Sequence, residues 1–126
     1  MNAMLERNGL VYADTKEAIN SVVRGLIDEA QREYIVDRRR ERRQSLAILL
    51  NVAPIKDEQL GTEFAAVTHD IATRGMSFLH NSPIDAPYLF LRFPEFNDRQ
   101  ALILEVLRQT QIGPFYMIGG KFRPAY

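Results

Sequence analysis

The sequence predicts an all-β fold, a six-stranded antiparallel β-barrel with one amphipathic α-helix added at its N-terminal side. Two observations carry that expectation. Apolar residues recur every three or four positions in the first part of the chain and every second position from Leu46 onward, the periods of a helix and of half-buried strands. Turn-forming residues then cut the second region into short segments of strand length.

The helix begins at "DTKE", with Asp14 as N-cap and Glu17 three residues on, in the manner of a capping box. Ile19, Val22, Val23, Leu26, Ile27 and Ala30 form its apolar stripe, with Lys16, Glu17, Arg24, Asp28, Glu29 and Arg32 between them. No glycine or proline clearly ends it, so the expected span is about 14–36. Such a stripe does not stay in water, because isolated helices of about 12–15 residues are marginal. It docks either on the barrel of its own chain or on the same helix of a second chain, giving a homodimer. The first 37 residues are thus an extension, and 38–126 form the barrel domain.

The first strand is read from the alternation of Leu46, Ile48, Leu50 and Val52 with Ala47, Leu49 and Asn51. Five more follow: Thr62 to Asp70, Met76 to Leu79, Tyr88 to Phe93, Ala101 to Thr110 and Phe115 to Phe122. Between them lie "APIKDEQLG", "TRG", "HNSPIDAP", "PEFNDRQ" and "QIGP". A sheet of six short strands hides its edges best by closing on itself.

Composition narrows the function. The chain has 126 residues, 46% hydrophobic and 25% charged, which suits one globular domain. Sixteen basic and sixteen acidic residues cancel, so no global field draws the protein onto nucleic acid or an anionic membrane. There are no cysteines, which removes disulfide frameworks and thiolate metal sites. The N-terminus carries Glu6 and Arg7 where a signal peptide needs an apolar run, and no segment approaches the roughly 20 apolar residues of a membrane span. The expected location is the cytoplasm.

Catalytic chemistry has little support. His69 and His80 are eleven residues apart with no third ligand at metal spacing. Asp57, Glu58, Asp85, Glu95 and Asp98 sit mostly in turns, where they favour local backbone bonding. Ser45, Ser77 and Ser82 lack a nucleophile motif, and no glycine-rich phosphate loop precedes a helix. The chain is therefore expected not to be an enzyme and to need no cofactor. Tyr88, Phe90, Phe93, Phe115, Tyr116 and Phe122 offer a base-stacking face only if exposed, and their strand periodicity assigns most of them to the core.

What stands out is "DRRRERRQSLAILL", in which Arg38, Arg39, Arg40, Arg42 and Arg43 fall within six residues. A charge run at a helix end is ordinarily a solvated face, and it gains about 0.3–1 kcal/mol against the helix dipole. A second segment changes the reading: "HDIATRGMSF" ends one strand at Asp70 and turns to Gly75 before the next.

Together the two segments resemble the PilZ domain, the bacterial receptor module for cyclic di-GMP. That family carries R-x-x-x-R leading into the first barrel strand, then [D/N]-x-S-x-x-G at a strand turn. Arg39 and Arg43 match the first motif, with Arg38 before them, and Arg38 and Arg42 satisfy the same spacing. Asp70 and Gly75 match the second, while Ala72 occupies the serine position. "ALILEVLR" and "GPFYMIGGKF" look like the family's last two strands. The resemblance covers roughly residues 38–122.

The resemblance implies a non-enzymatic receptor whose arginines contact the phosphates and guanines of cyclic di-GMP, as guanidinium chemistry allows. Asp70 would accept from guanine N–H groups, and Gly75 would free the turn of bulk or allow a positive φ. With alanine at position 72, one hydroxyl contact worth about 0.5–1.5 kcal/mol is missing, against about 1–3 for a bidentate arginine. Weakened rather than abolished binding is expected. The signal would pass by moving the N-terminal segment relative to the barrel, for an unidentified protein partner to read. The alternative is a degenerate PilZ-like barrel that binds no nucleotide and acts as an adaptor.

Overall fold

The computed structural model describes residues 11–31, 47–95 and 97–124. Arg38, Arg39 and Arg43 lie outside the described residues, as do positions 32–36 of the expected helix and Leu46. The elements are β1 (Val11–Tyr12), α1 (Lys16–Gln31), β2 (Leu49–Lys56), β3 (Gln59–Leu60), β4 (Phe64–Ile71), β5 (Gly75–His80), β6 (Tyr88–Phe93), β7 (Asn97–Ile112) and β8 (Phe115–Arg123). Six strands run antiparallel in the order β7-β6-β2-β4-β5-β8, and β8 pairs back onto β7. The barrel is closed, as the strand pattern predicts.

Alternation fills its interior. Leu50, Val52, Ile71, Met76, Phe78, Leu89, Leu91, Phe93, Leu102, Leu104 and Ile118 belong to one buried cluster, which also contains Ile19, Val22, Val23 and Leu26 of α1. The helix stripe therefore docks on the barrel of its own chain. Fully burying four such side chains contributes about 6–12 kcal/mol before entropy costs. The face expected to serve a helix pair between two chains is already occupied within this one.

Several local expectations are corrected. The helix N-cap is Thr15 rather than Asp14: Ala18 N–H donates to Thr15 Oγ1 at 3.0 Å, and Ile19 N–H donates to the Thr15 carbonyl at 2.9 Å. Glu17 then stands one residue too early to close a capping box. Strand β2 runs on through "APIK", read from sequence as turn. Pro54 is tolerated there because its carbonyl still accepts the Gly61 N–H at 2.7 Å. The chain reverses at Asp57 and Glu58, with φ of 53° and 63°, between the paired residues Lys56 and Gln59; this is the two-residue hairpin geometry whose twist suits the flanking strands. Strand β7 begins at Asn97, inside what reads as a turn.

The outer face of one wall is buried as well. Ala53, Ile55, Phe90, Ala101 and Ile103 form a second cluster with Tyr12, and Leu60 and Tyr88 pack against it. Tyr12 arrives through β1, which pairs in parallel with β7 (Val11 with Gln100, Tyr12 with Ala101), a contact the sequence pattern does not announce. Of the aromatic residues weighed as a stacking face, Phe90, Phe93 and Phe122 are buried.

Candidate functional site

The opposite wall, made of β4, β5, β8 and the second half of β7, carries the motif. Strand β4 turns Ala66 and Thr68 inward and leaves Val67 exposed. Strict alternation would send Asp70 inward as well. A register shift against β5 lies between Thr68 and Asp70; it reverses the parity, burying Ile71 and presenting the Asp70 carboxylate on the outer surface.

Asp70 is the cross-strand partner of Ser77. Ser77 Oγ donates to Asp70 Oδ1 at 2.8 Å, and His69 Nδ1 stands 3.9 Å from Oδ2. Ser77 is 4% exposed although it belongs to the outer row, so its hydroxyl is a buried, satisfied group that fixes the carboxylate. The row continues: Ser77 pairs with Gly119, and Gly119 with Arg108. Asp70, Ser77, Gly119 and Arg108 thus form one line across four strands. Arg74, Arg108 and Lys121 are exposed, and none has a hydrogen bond or ion pair from its side chain among the described residues. Three other cations of the barrel surface are paired: Arg92 Nε to Glu63 at 2.8 Å, Arg123 Nε to Glu105 at 2.7 Å and Lys56 to Asp85 at 3.3 Å.

The turn that follows Asp70 is tight. Ala72 N–H donates to the Gly75 carbonyl at 2.9 Å, and Phe122 N–H donates to the Arg74 carbonyl at 2.8 Å. Gly75 has no positive φ; among the described residues the one glycine that does is Gly113, at 60°. The reason for glycine at 75 is close approach. A Cβ there would run into the Gly120 carbonyl oxygen and lie 3.1 Å from Lys121 Cα. Of its two expected roles, freedom from bulk is the one the backbone requires, and what it admits is strand β8.

Alongside this polar line runs an apolar one. Leu49 pairs with Val67, Val67 with Leu79 and Leu79 with Met117. Leu49, Val67 and Leu79 are 42%, 45% and 39% exposed, which makes the line a surface and not a core. Where β2 enters beside it, Ile48 N–H donates to Thr68 Oγ1 at 2.9 Å and Thr68 N–H donates to the Ile48 carbonyl at 3.0 Å. The segment that follows the arginine run is thereby fixed two residues from Asp70.

His80 stacks on Phe64 with centroids 4.0 Å apart, and burial lowers its pKa. Among the described residues no cluster of three His, Cys, Asp or Glu side chains could hold a metal ion, and no helix is long and apolar enough to cross a membrane.

Sequence reasoning singled out Asp70, Ala72 and Gly75 but not Ser77, Gly119 and Arg108, which strand pairing sets on the same line as Asp70. Counting hairpin register would have found them. Asp70 and Ser77 are equidistant from the Thr73–Arg74 turn, and Arg108 and Gly119 from Gly113–Pro114.

No family model matches the chain, and no curated protein does. Among solved structures, the chain is similar to a Bacillus subtilis inhibitor of motility (MotI/DgrA), with a TM-score of 0.48 and 16% identity over 69% of this chain and 43% of that one. This chain spans less than half the length of that structure.

Proposed function

We propose that the chain is a PilZ-like, non-enzymatic receptor for cyclic di-GMP, with Arg39 and Arg43, flanked by Arg38, closing over the outer face that carries Asp70. One observation carries the reading: the bulge in β4 turns Asp70 outward beside the point where the arginine-bearing segment enters β2. Arg43 is five residues before Ile48, a reach of up to about 17 Å in extended chain. That is enough to bring its guanidinium to a ligand lying on Asp70. Asp70 accepts from guanine N–H groups, and the arginines donate to phosphate oxygens or to guanine O6 and N7. Ser77 already supplies Asp70 with a hydroxyl, which lessens what is lost with alanine at position 72.

The relay runs through the arginine segment and not through release of α1. Detaching the helix would expose Ile19, Val22, Val23 and Leu26, at about 6–12 kcal/mol, which would consume most or all of the about 8 kcal/mol that a micromolar ligand provides. Ordering 38–43 over the barrel changes a surface without opening the core. That surface is what a protein partner reads, and the receptor reading places the chain in the cytoplasm of a bacterium, where cyclic di-GMP signals.

The second reading is an adaptor barrel that binds no nucleotide. The exposed line Leu49, Val67 and Leu79 favours it. Titration calorimetry with cyclic di-GMP separates the two: saturable heat from the wild type supports the receptor, and silence at millimolar ligand leaves the adaptor.

A further inference from the structure

Resting on the receptor reading, we infer that Arg108 is a stacking platform for a purine base of the ligand, a third arginine contact supplied by the barrel itself. It stands on the Asp70 line, opposite Gly119. An ideal Cβ on Gly119 would lie 3.4 Å from Arg108 Cζ, 3.4 Å from Nη2 and 3.6 Å from Nε. Near-equal distances to the central carbon and two nitrogens arise only when the guanidinium lies face-on to that point. In an edge-on approach the carbon would be clearly farther than the nitrogens. The guanidinium is therefore flat against the strand, and glycine at 119 leaves room for it.

Its outer face is open, because Arg108 is exposed and has no hydrogen bond or ion pair among the described residues. Glu105, three residues earlier on the same strand, is occupied by Arg123. A flat cation held against a sheet is a natural seat for an aromatic ring, by cation–π attraction and by stacking. The apolar line adds a second support: Met117, two residues from Gly119 on the same face, and its partner Leu79 border the seat. A thioether at a ring edge is itself favourable. One base thus hydrogen-bonds at Asp70 while another ring of the same dinucleotide rests on Arg108. Adjacent strands are about 4.8 Å apart, so the two ends of the line are separated by about 14 Å, a span for a dinucleotide and not for one base.

The test is calorimetry with cyclic di-GMP on wild type, Arg108→Lys and Arg108→Ala, with thermal unfolding as the fold control. Both variants should bind roughly 5- to 30-fold more weakly while unfolding at the wild-type temperature. Full affinity in Arg108→Lys with loss in Arg108→Ala would mean a charge contact to phosphate and overturn the platform. Wild-type affinity in both would also overturn it, leaving the receptor reading intact. A silent wild type removes the receptor and the platform together.

Discussion

Replacing Gly75 with alanine tests whether the motif glycine serves the fold before it serves a ligand. The added Cβ would meet the Gly120 carbonyl oxygen and sit 3.1 Å from both Gly120 C and Lys121 Cα. All three are backbone atoms of the paired strand, so no side chain can swing away; β5 and β8 must separate or twist. Overpacking of this kind costs about 1–3 kcal/mol and occasionally more, and an obstacle of backbone alone belongs at the upper end. For a domain of this size about 3 kcal/mol lowers the melting temperature by about 10–15 °C. Gly119→Ala is the matched control. The three atoms nearest its Cβ would all belong to the far end of Arg108, at 3.4–3.6 Å, and alanine loses less backbone freedom on folding than glycine. Its melting temperature should stay within about 3 °C of wild type. Circular dichroism melts of the three proteins decide it. A Gly75→Ala protein that melts with wild type would refute the close-approach argument and return Gly75 to a direct role at the ligand.

Other outcomes follow from the same geometry. Arg39→Ala or Arg43→Ala should each weaken cyclic di-GMP binding by about 1–3 kcal/mol, roughly 5- to 150-fold, with unchanged melting and a smaller effect at Arg40; parallel loss of stability would point to a structural role. Ala72→Ser should tighten binding by no more than about tenfold in calorimetry, and a much larger gain would mean that Ser77 does not serve the site. Leu26→Asp places a carboxylate in the shared core and should cost about 4 kcal/mol or more. Sedimentation and circular dichroism should therefore find it unfolded, whereas a folded monomer from a dimeric parent would give the helix stripe back to chain pairing. Because burial holds the His80 pKa below 6.5, the unfolded chain binds that proton first. This histidine's contribution to stability is present above about pH 6.5 and is lost as pH falls towards its folded pKa. Melting at pH 7.5 and 5.5 should show a smaller drop in His80→Phe than in wild type.

The barrel was legible because alternation and turn residues agree over most of the chain: Leu50 and Val52, Leu89 and Leu91, and Leu102 and Leu104 point inward as their period requires. Legibility failed where a local signal competed with tertiary context. Pro54 reads as a turn yet sits inside β2, because the missing N–H is not needed at that position and its carbonyl finds Gly61. Asp57 and Glu58 adopt positive φ without the asparagine or glycine that usually marks such a turn. The helix cap slipped by one residue because aspartate and threonine are adjacent and both can cap. In the candidate site, Asp70 and Gly75 were singled out by motif, but the bulge that turns Asp70 outward leaves no mark in composition. Ser77, Gly119 and Arg108 were hidden because they are gathered by strand pairing across the barrel rather than by sequence spacing.

The second apolar cluster has a kinetic consequence. The wall of β2, β6 and the start of β7 is buried on both faces, so its amides can exchange with solvent only through near-global opening. The wall of β4, β5 and β8 has its outer face in water around Val67 and Leu79, and less apolar area resists its local opening. Strand β7 passes from one regime to the other along its length, from Ile103 to Arg108. The barrel therefore breathes through the wall that bears Asp70, and slowing of amide exchange by a bound ligand belongs there, with the opposite wall hardly changed.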